Sequence, residues 1–267
     1  MFGSLPRDGA AALAPRTRRA LHLPIAGAIA LVGALTLASK LAVVAKESLI
    51  AGRFGAGDAV DAFFIALILP SFAVNVIAGS IQSSFLPAYV ETREREGQAA
   101  ANQLTAGVLS WAALLLAAVT IAFAAAGGQL IAIAGGSFPP EKLALATRLF
   151  YLLLPMLFVS GIASVWSVTL NASRRFAVVA AVPIITPIVV AAALVWGGAR
   201  VGIHAVAVGT VAGVAVEALI IGVWARRQHI SIIPRWQGAT PGLRRVGHGA
   251  EVPLERVRSH LGAVVEG

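Results

Sequence analysis

A chain of 267 residues that is 58% hydrophobic and only 12% charged, with a mean hydropathy of +0.85, has too little polar surface to clothe a water-soluble globule; soluble domains run to about 25% charged. That excludes an ordinary cytosolic enzyme, and the lack of cysteine excludes a disulfide framework, a thiolate metal site and a cysteine nucleophile. The formal charge of +9 could suggest nucleic acid, but the basic residues flank apolar blocks, where anionic headgroups and the positive-inside rule account for them, so no nucleic-acid partner is expected.

In chain order, residues 1–20 read as a loop-like basic tail with Pro6, Pro15 and Arg7, Arg16, Arg18 and Arg19. An apolar helix begins at Leu21 and continues, less purely, through Lys40, Lys46 and Glu47 to Phe54. It would be roughly 50 Å long at 1.5 Å per residue. A hydrocarbon core is about 30 Å thick, so this helix must tilt, kink or protrude. A signal peptide ending near Ala38 is the rival reading, but helical periodicity continues past that point. Gly55-Ala56-Gly57-Asp58 is a turn. Further spans are predicted at about 60–86, 104–126, 145–170, 176–196 and 203–224. The connections are a charged loop at 91–97, the stretch from Gly135 to Glu141 and a loop at 171–175. The expected organisation is an all-α integral membrane protein: tail 1–20, a six-span domain at 21–225, and a polar basic tail at 226–267.

Charge asymmetry sets the expected orientation. One side takes the four N-tail arginines, Arg93, Arg95, Arg174, Arg175 and seven arginines of the C-tail; the other takes only Arg53, Lys142, Arg148 and Arg200. Both termini are therefore expected in the cytoplasm, with the protein in a bacterial-type inner membrane.

Polar residues align inside the spans. Asp61, Ser71, Asn75, Gly79 and Gln82 fall within an arc of about 80° on the second. Ser160, Ser164, Ser167 and Asn171 follow a narrow stripe on the fourth, and Gly209 and Gly213 form a G-x-x-x-G pair on the sixth. The serine stripe and the glycine pair read first as close helix packing. Charges differ, because one at mid-bilayer costs about 2.5–3.5 kcal/mol on insertion scales and marks function by default. Lys40 and Lys46 are read as functional over snorkelling or an internal ion pair with Glu47 or Asp61. Lys40 and Glu47, seven residues apart, share a helix face. Glu217 lies near the cytoplasmic end and can simply snorkel; an ion or coupling role for it and for Glu47 is the alternative. Prolines 70, 155, 183 and 187 permit bends. The five histidines make no metal spacing, no nucleotide-binding glycine motif occurs, and neither metal nor cofactor is expected.

One stretch carries a family resemblance. Its order is Ser39-Lys40, Ala45-Lys46-Glu47, Ile50-Ala51-Gly52-Arg53-Phe54-Gly55-Ala56-Gly57, Asp61-Ala62-Phe63-Phe64-Ile65-Ala66, Leu69-Pro70 and Ser84-Phe85-Leu86-Pro87-Ala88-Tyr89. This resembles the MurJ/MviN family, the lipid II flippases within the multidrug, oligosaccharidyl-lipid and polysaccharide exporter group. The segment from Leu170 to Phe176 is similar to that family's L-N-A-x-x-R-F, and the likeness covers roughly 30–230. It implies a transporter, not an enzyme, that moves a polyprenyl-pyrophosphate-linked saccharide by alternating access in a cationic cavity between two lobes. Lys40 and Lys46 resemble the family's two basic first-helix positions, where arginine is usual, and lysine lacks the bidentate fork for phosphate. Asp61 resembles its acidic position after the glycine turn. The implied substrate-binding set is Lys40, Lys46, Asp61, Ser71, Asn75 and Gln82.

Two departures stand out. Where the lipid II flippases carry a basic pair and then a glutamate on the second helix, this chain has Val74-Asn75 and Gly79. Lipid II or a related envelope polysaccharide precursor therefore fits equally. The six spans resemble the N-terminal lobe alone, as in a fragment, a frameshifted product or half of a split transporter, and residues 236–267 do not resemble the start of a second lobe. Expected partners are membrane lipid, the lipid-linked saccharide and a second lobe, supplied by self-association or a separate chain. Alternatives are a cation-coupled drug exporter, a non-transporting scaffold of envelope synthesis, and a polyprenyl-phosphate enzyme, the last lacking the acidic cluster to hold a metal.

Overall fold

The computed structural model describes residues 16–55, 57–231 and 233; the remaining tails lie outside it, as do the side chains of residues 16–26 and 28. All regular elements among the described residues are helical: α1 (Arg16–Phe54), α2 (Asp58–Gly135), α3 (Pro140–Ala172), α4 (Phe176–Ala181), a 3-10 turn (Val182–Ile184), α5 (Ile185–Val201) and α6 (His204–Arg227). The helix α1 starts at Arg16, inside the stretch expected to be a loop-like tail.

Five helical stretches are long and apolar enough to cross a membrane among the described residues, where the sequence predicted six spans. The difference lies in α2. Its 78 residues would extend well over 100 Å as a straight rod, too long for one crossing. It breaks at Gly97, whose φ of 87° and ψ of 176° only glycine adopts without strain. The arms 58–96 and 98–135 fold back on each other. Phe85 and Tyr89 pack with Ala101, Leu104, Val108 and Leu116 in one buried cluster, and Gln98 Nε2 lies 3.4 Å from Tyr89 Oη. The predicted charged loop at 91–97 is thus helical up to a single-residue reversal. Likewise, the third predicted span does not end at residue 126. The helix runs on to Gly135, and Gly127 instead admits Tyr151 against the backbone, its hydroxyl oxygen 2.9 Å from where a Cβ would sit.

Three buried clusters stack along the bundle. One joins Ile50, Phe63, Ile131, Phe150, Val190 and Val206, where α1 ends and α6 begins. The second runs along the α2 hairpin against Leu157 and Val165. The third gathers Leu170, Val182, Ile221, Ala225 and Ile230 at the opposite end. In lipid these contacts act through van der Waals fit more than hydrophobic driving force, so small residues at the crossings decide how closely helices approach. The pair Gly209 and Gly213 does this between α5 and α6: a Cβ on Gly213 would sit 2.7 Å from Thr186 Cα, and one on Gly209 3.0 Å from Val190 Cα. Packing is therefore the role the structure gives that pair. Because the obstacle is backbone, Gly213→Ala is expected to destabilise the protein by about 1–3 kcal/mol. Gly52→Ala, with open space around it, should be neutral or stabilising. Thermal unfolding of the two variants in detergent measures the contrast.

Both α3 and α6 end in the same motif. Arg175 N–H donates to Leu170 O and Arg174 N–H to Asn171 O; Ile230 donates to Ala225 O and His229 to Arg226 O. Arg174 and His229 take the left-handed position where glycine is usual. Asn102 Nδ2 donates to His229 O at 2.7 Å, which ties the α2 hairpin to the end of α6.

Candidate functional site

The expected site residues separate into four places. On α1, Ser39 is buried and its hydroxyl is shared between Leu35 O at 2.9 Å and Ala180 O at 3.2 Å. This seats α1 on α4. Lys40, the next residue, points away and is exposed beside exposed Leu37, Leu41 and Val44. Lys46 folds back onto Glu47, with Nζ to Oε1 at 2.7 Å, and its side chain is only 14% exposed. Glu47 therefore pairs with Lys46 and not with Lys40, although Lys40 shares its helix face. The chief neighbours of α1 are α4 and α5, and it touches α2 only sparingly.

Asp61 is not beside these lysines. Lys142 Nζ bridges Asp61 Oδ2 at 2.7 Å and Asp58 Oδ1 at 2.8 Å, and it lies 4.0 Å from the centroid of the Phe138 ring. Lys142, 9% exposed, thereby staples the start of α2 to the start of α3. The sequence reading used Lys142 only to count charges; nothing in its spacing pairs it with Asp61, more than eighty residues away in sequence. Arg53 caps the same end from α1, its Nε 2.9 Å from where a Cβ on Gly198 would lie.

Ser71 is half-buried and Asn75 exposed on the first arm of α2, among exposed Ile68, Phe72 and Val76. Gln82, further along, belongs to a different feature. It lines an open cavity of about 290 Å³ with Ser160, Ser164, Ser167, Asn171 and Glu217. The serine stripe, read first as packing, is thus the polar wall of a cleft. Glu217, for which snorkelling was the first reading, turns inward: its Oε1 accepts the Thr186 N–H at 3.0 Å. Thr186 lies in the first turn of α5, directly after the 3-10 turn. Glu217 therefore caps the first turn of α5 from a neighbouring helix, where a carboxylate is stabilised by the helix dipole. Among the described residues no cluster of three or more His, Asp or Glu that could hold a metal occurs.

Five helical stretches long and apolar enough to cross a membrane, a hairpin within α2 and a broken helix at α4–α5 give the described residues the make-up of an all-α polytopic membrane protein. The family model described as lipid II flippase MurJ matches residues 50–253, and the chain belongs to that family. The match extends past residue 235, into the tail that the sequence reading set outside the resemblance. Lipid II flippase MurJ of Burkholderia cenocepacia is 28% identical over 200 residues, covering 72% of this chain and 38% of that protein. A probable lipid II flippase MurJ of Rhizobium meliloti is 29% identical over 228 residues, covering 81% and 42%. The solved structure of lipid II flippase MurJ in an inward closed conformation superposes with a TM-score of 0.68 at 21% identity, covering 82% of this chain and 46% of that one. A MOP superfamily transporter from Pyrococcus furiosus, described as having a binding pocket of reverse polarity that suggests a different function, gives 0.66 at 15% identity, covering 84% and 50%. The chain spans less than half the length of these curated relatives.

Proposed function

We propose that this chain forms one lobe of a flippase of the inner membrane, which moves a polyprenyl-pyrophosphate-linked saccharide between leaflets by alternating access. The substrate class is lipid II or a related envelope precursor, and the activity is transport without covalent chemistry. Lys40 carries this reading. A lysine on an apolar helix, exposed between Leu37 and Leu41 on a face the bundle leaves open, is costly unless something anionic or polar covers it. A pyrophosphate headgroup in a cavity between two lobes supplies that cover. Lys46 lies about one and two-thirds turns on, roughly 120° around the helix from Lys40, and Glu47 holds it until a stronger anion competes. Ser71 and Asn75 offer neutral hydrogen bonds for sugar hydroxyls on the same open side, and Asp61, held by Lys142, positions the end of the lobe.

The orientation expected from the charge asymmetry fits the same scheme: both termini cytoplasmic would put the Lys142–Asp58–Asp61 staple at the outer end of the lobe. A reporter fused after Trp224 should read as cytoplasmic and one inserted at Pro139-Pro140 as external; the reverse pattern would overturn the arrangement. The experiment that tests the function is depletion of the protein with both leaflets assayed. A pyrophosphate-linked saccharide lipid should accumulate on the cytoplasmic leaflet, and unchanged leaflet distributions of all such lipids would refute the proposal.

A further inference from the structure

The Glu217 cleft lies on α2, α3, the α4–α5 break and α6, apart from Lys40 and Lys46 on α1, and every polar group in it is an acceptor or can be one. The Ser164 hydroxyl donates to Gly161 O at 2.6 Å and the Ser167 hydroxyl to Ala163 O at 2.9 Å. Their protons are committed to α3, so their lone pairs are left for the cleft. Val179 and Pro183 also line it. Their carbonyls lose their helical donors, because Pro183 and Pro187, four residues on in each case, have no N–H. Glu217 is the one titratable residue in the lining, and no lysine, arginine or histidine joins it. One carboxylate oxygen takes the Thr186 N–H, and the buried Thr186 hydroxyl lies beside the carboxylate with no other hydrogen-bond partner among the described residues. A carboxylate at membrane depth without a basic partner is expensive, and a ring of oxygen acceptors suits a hard cation. Discontinuous membrane helices place ion sites at such breaks.

We infer that this cleft is a monovalent cation site within the lobe, with the Glu217 carboxylate supplying the charge and Ser164, Ser167 and the Val179 and Pro183 carbonyls supplying neutral oxygens. The inference goes beyond the flippase reading and stands without it, since it concerns binding alone.

The test is thermal unfolding of the detergent-purified chain as Na⁺ replaces choline at constant ionic strength and pH. Binding to the folded state raises the midpoint saturably, by about 5 °C at concentrations well above the dissociation constant. In Glu217→Gln, which keeps an acceptor for Thr186 N–H, the Na⁺ response should vanish while the midpoint in choline holds or rises. That midpoint separates loss of binding from misfolding. Ser164→Ala with Ser167→Ala should shift the response to higher Na⁺. A wild-type midpoint insensitive to Na⁺, an equal response in Glu217→Gln, or a midpoint that follows pH alone would each overturn the inference.

Discussion

Replacing Lys40 with alanine should abolish transport while leaving the protein at its normal level in the membrane. Lys40 makes no ion pair among the described residues and packs against nothing that requires its charge, so truncation leaves no unpaired group behind. Losing a charge-assisted contact to a pyrophosphate costs about 1.5–3 kcal/mol, or roughly 10- to 150-fold in affinity. Complementation by the K40A variant should fail on that scale, and Lys40→Arg should restore it, since the guanidinium also grips phosphate. Lys46→Ala should give the same loss by a different route, because it also frees Glu47, now an uncompensated carboxylate on α1. The double change Lys46→Ala with Glu47→Gln would then recover protein stability but not transport. Full complementation by K40A would assign the lysine to snorkelling and remove the anion site.

The second large effect concerns the residues that α1 and the first arm of α2 each leave exposed. Leu37, Leu41 and Val44 on one, and Ile68, Phe72 and Val76 on the other, are exposed together with Lys40 and Asn75. Lipid can cover the apolar residues but not the lysine and the amide. A second lobe is expected there, whether from another copy, a separate chain or further sequence. The chain has no cysteine, so cysteines introduced at Asn75 or Ser71 report directly. They should cross-link in the membrane to the covering lobe, whereas a cysteine at Trp196, exposed on α5, should not. Equal cross-linking at all three positions would contradict the assigned face.

Helical class and the connections at 55–57, 136–139 and 173–175 were legible because they follow from local pattern, apolar runs broken by glycine and proline, whereas several helix ends lie five to ten residues from where that pattern put them. The span at 145–170 lies inside α3, and the reversal near residue 97 fell where the charges cluster. What the pattern could not show is that a single glycine suffices for that reversal, because ψ at Gly97 is a local backbone choice with no periodicity to betray it. The Asp61–Lys142 staple was hidden for another reason. Pairing between residues far apart depends on tertiary packing, and Lys142 looks in sequence like any basic residue at a helix start. The serine stripe was visible as a stripe. Only the break at Val182–Ile184, which turns Glu217 toward Thr186, makes it the wall of a cleft and not a packing seam.

Reconstitution tests most directly the central claim, that this chain is one lobe of a two-lobe flippase. Proteoliposomes would carry a labelled polyprenyl-pyrophosphate saccharide in the outer leaflet, and its protection from an external reagent would be followed over time. The account predicts no flipping by the monomeric chain and flipping once the covering lobe identified by cross-linking at Asn75 is present. Flipping by a stable monomer would contradict the need for a second lobe, and no flipping by the assembled pair would contradict the transport assignment itself.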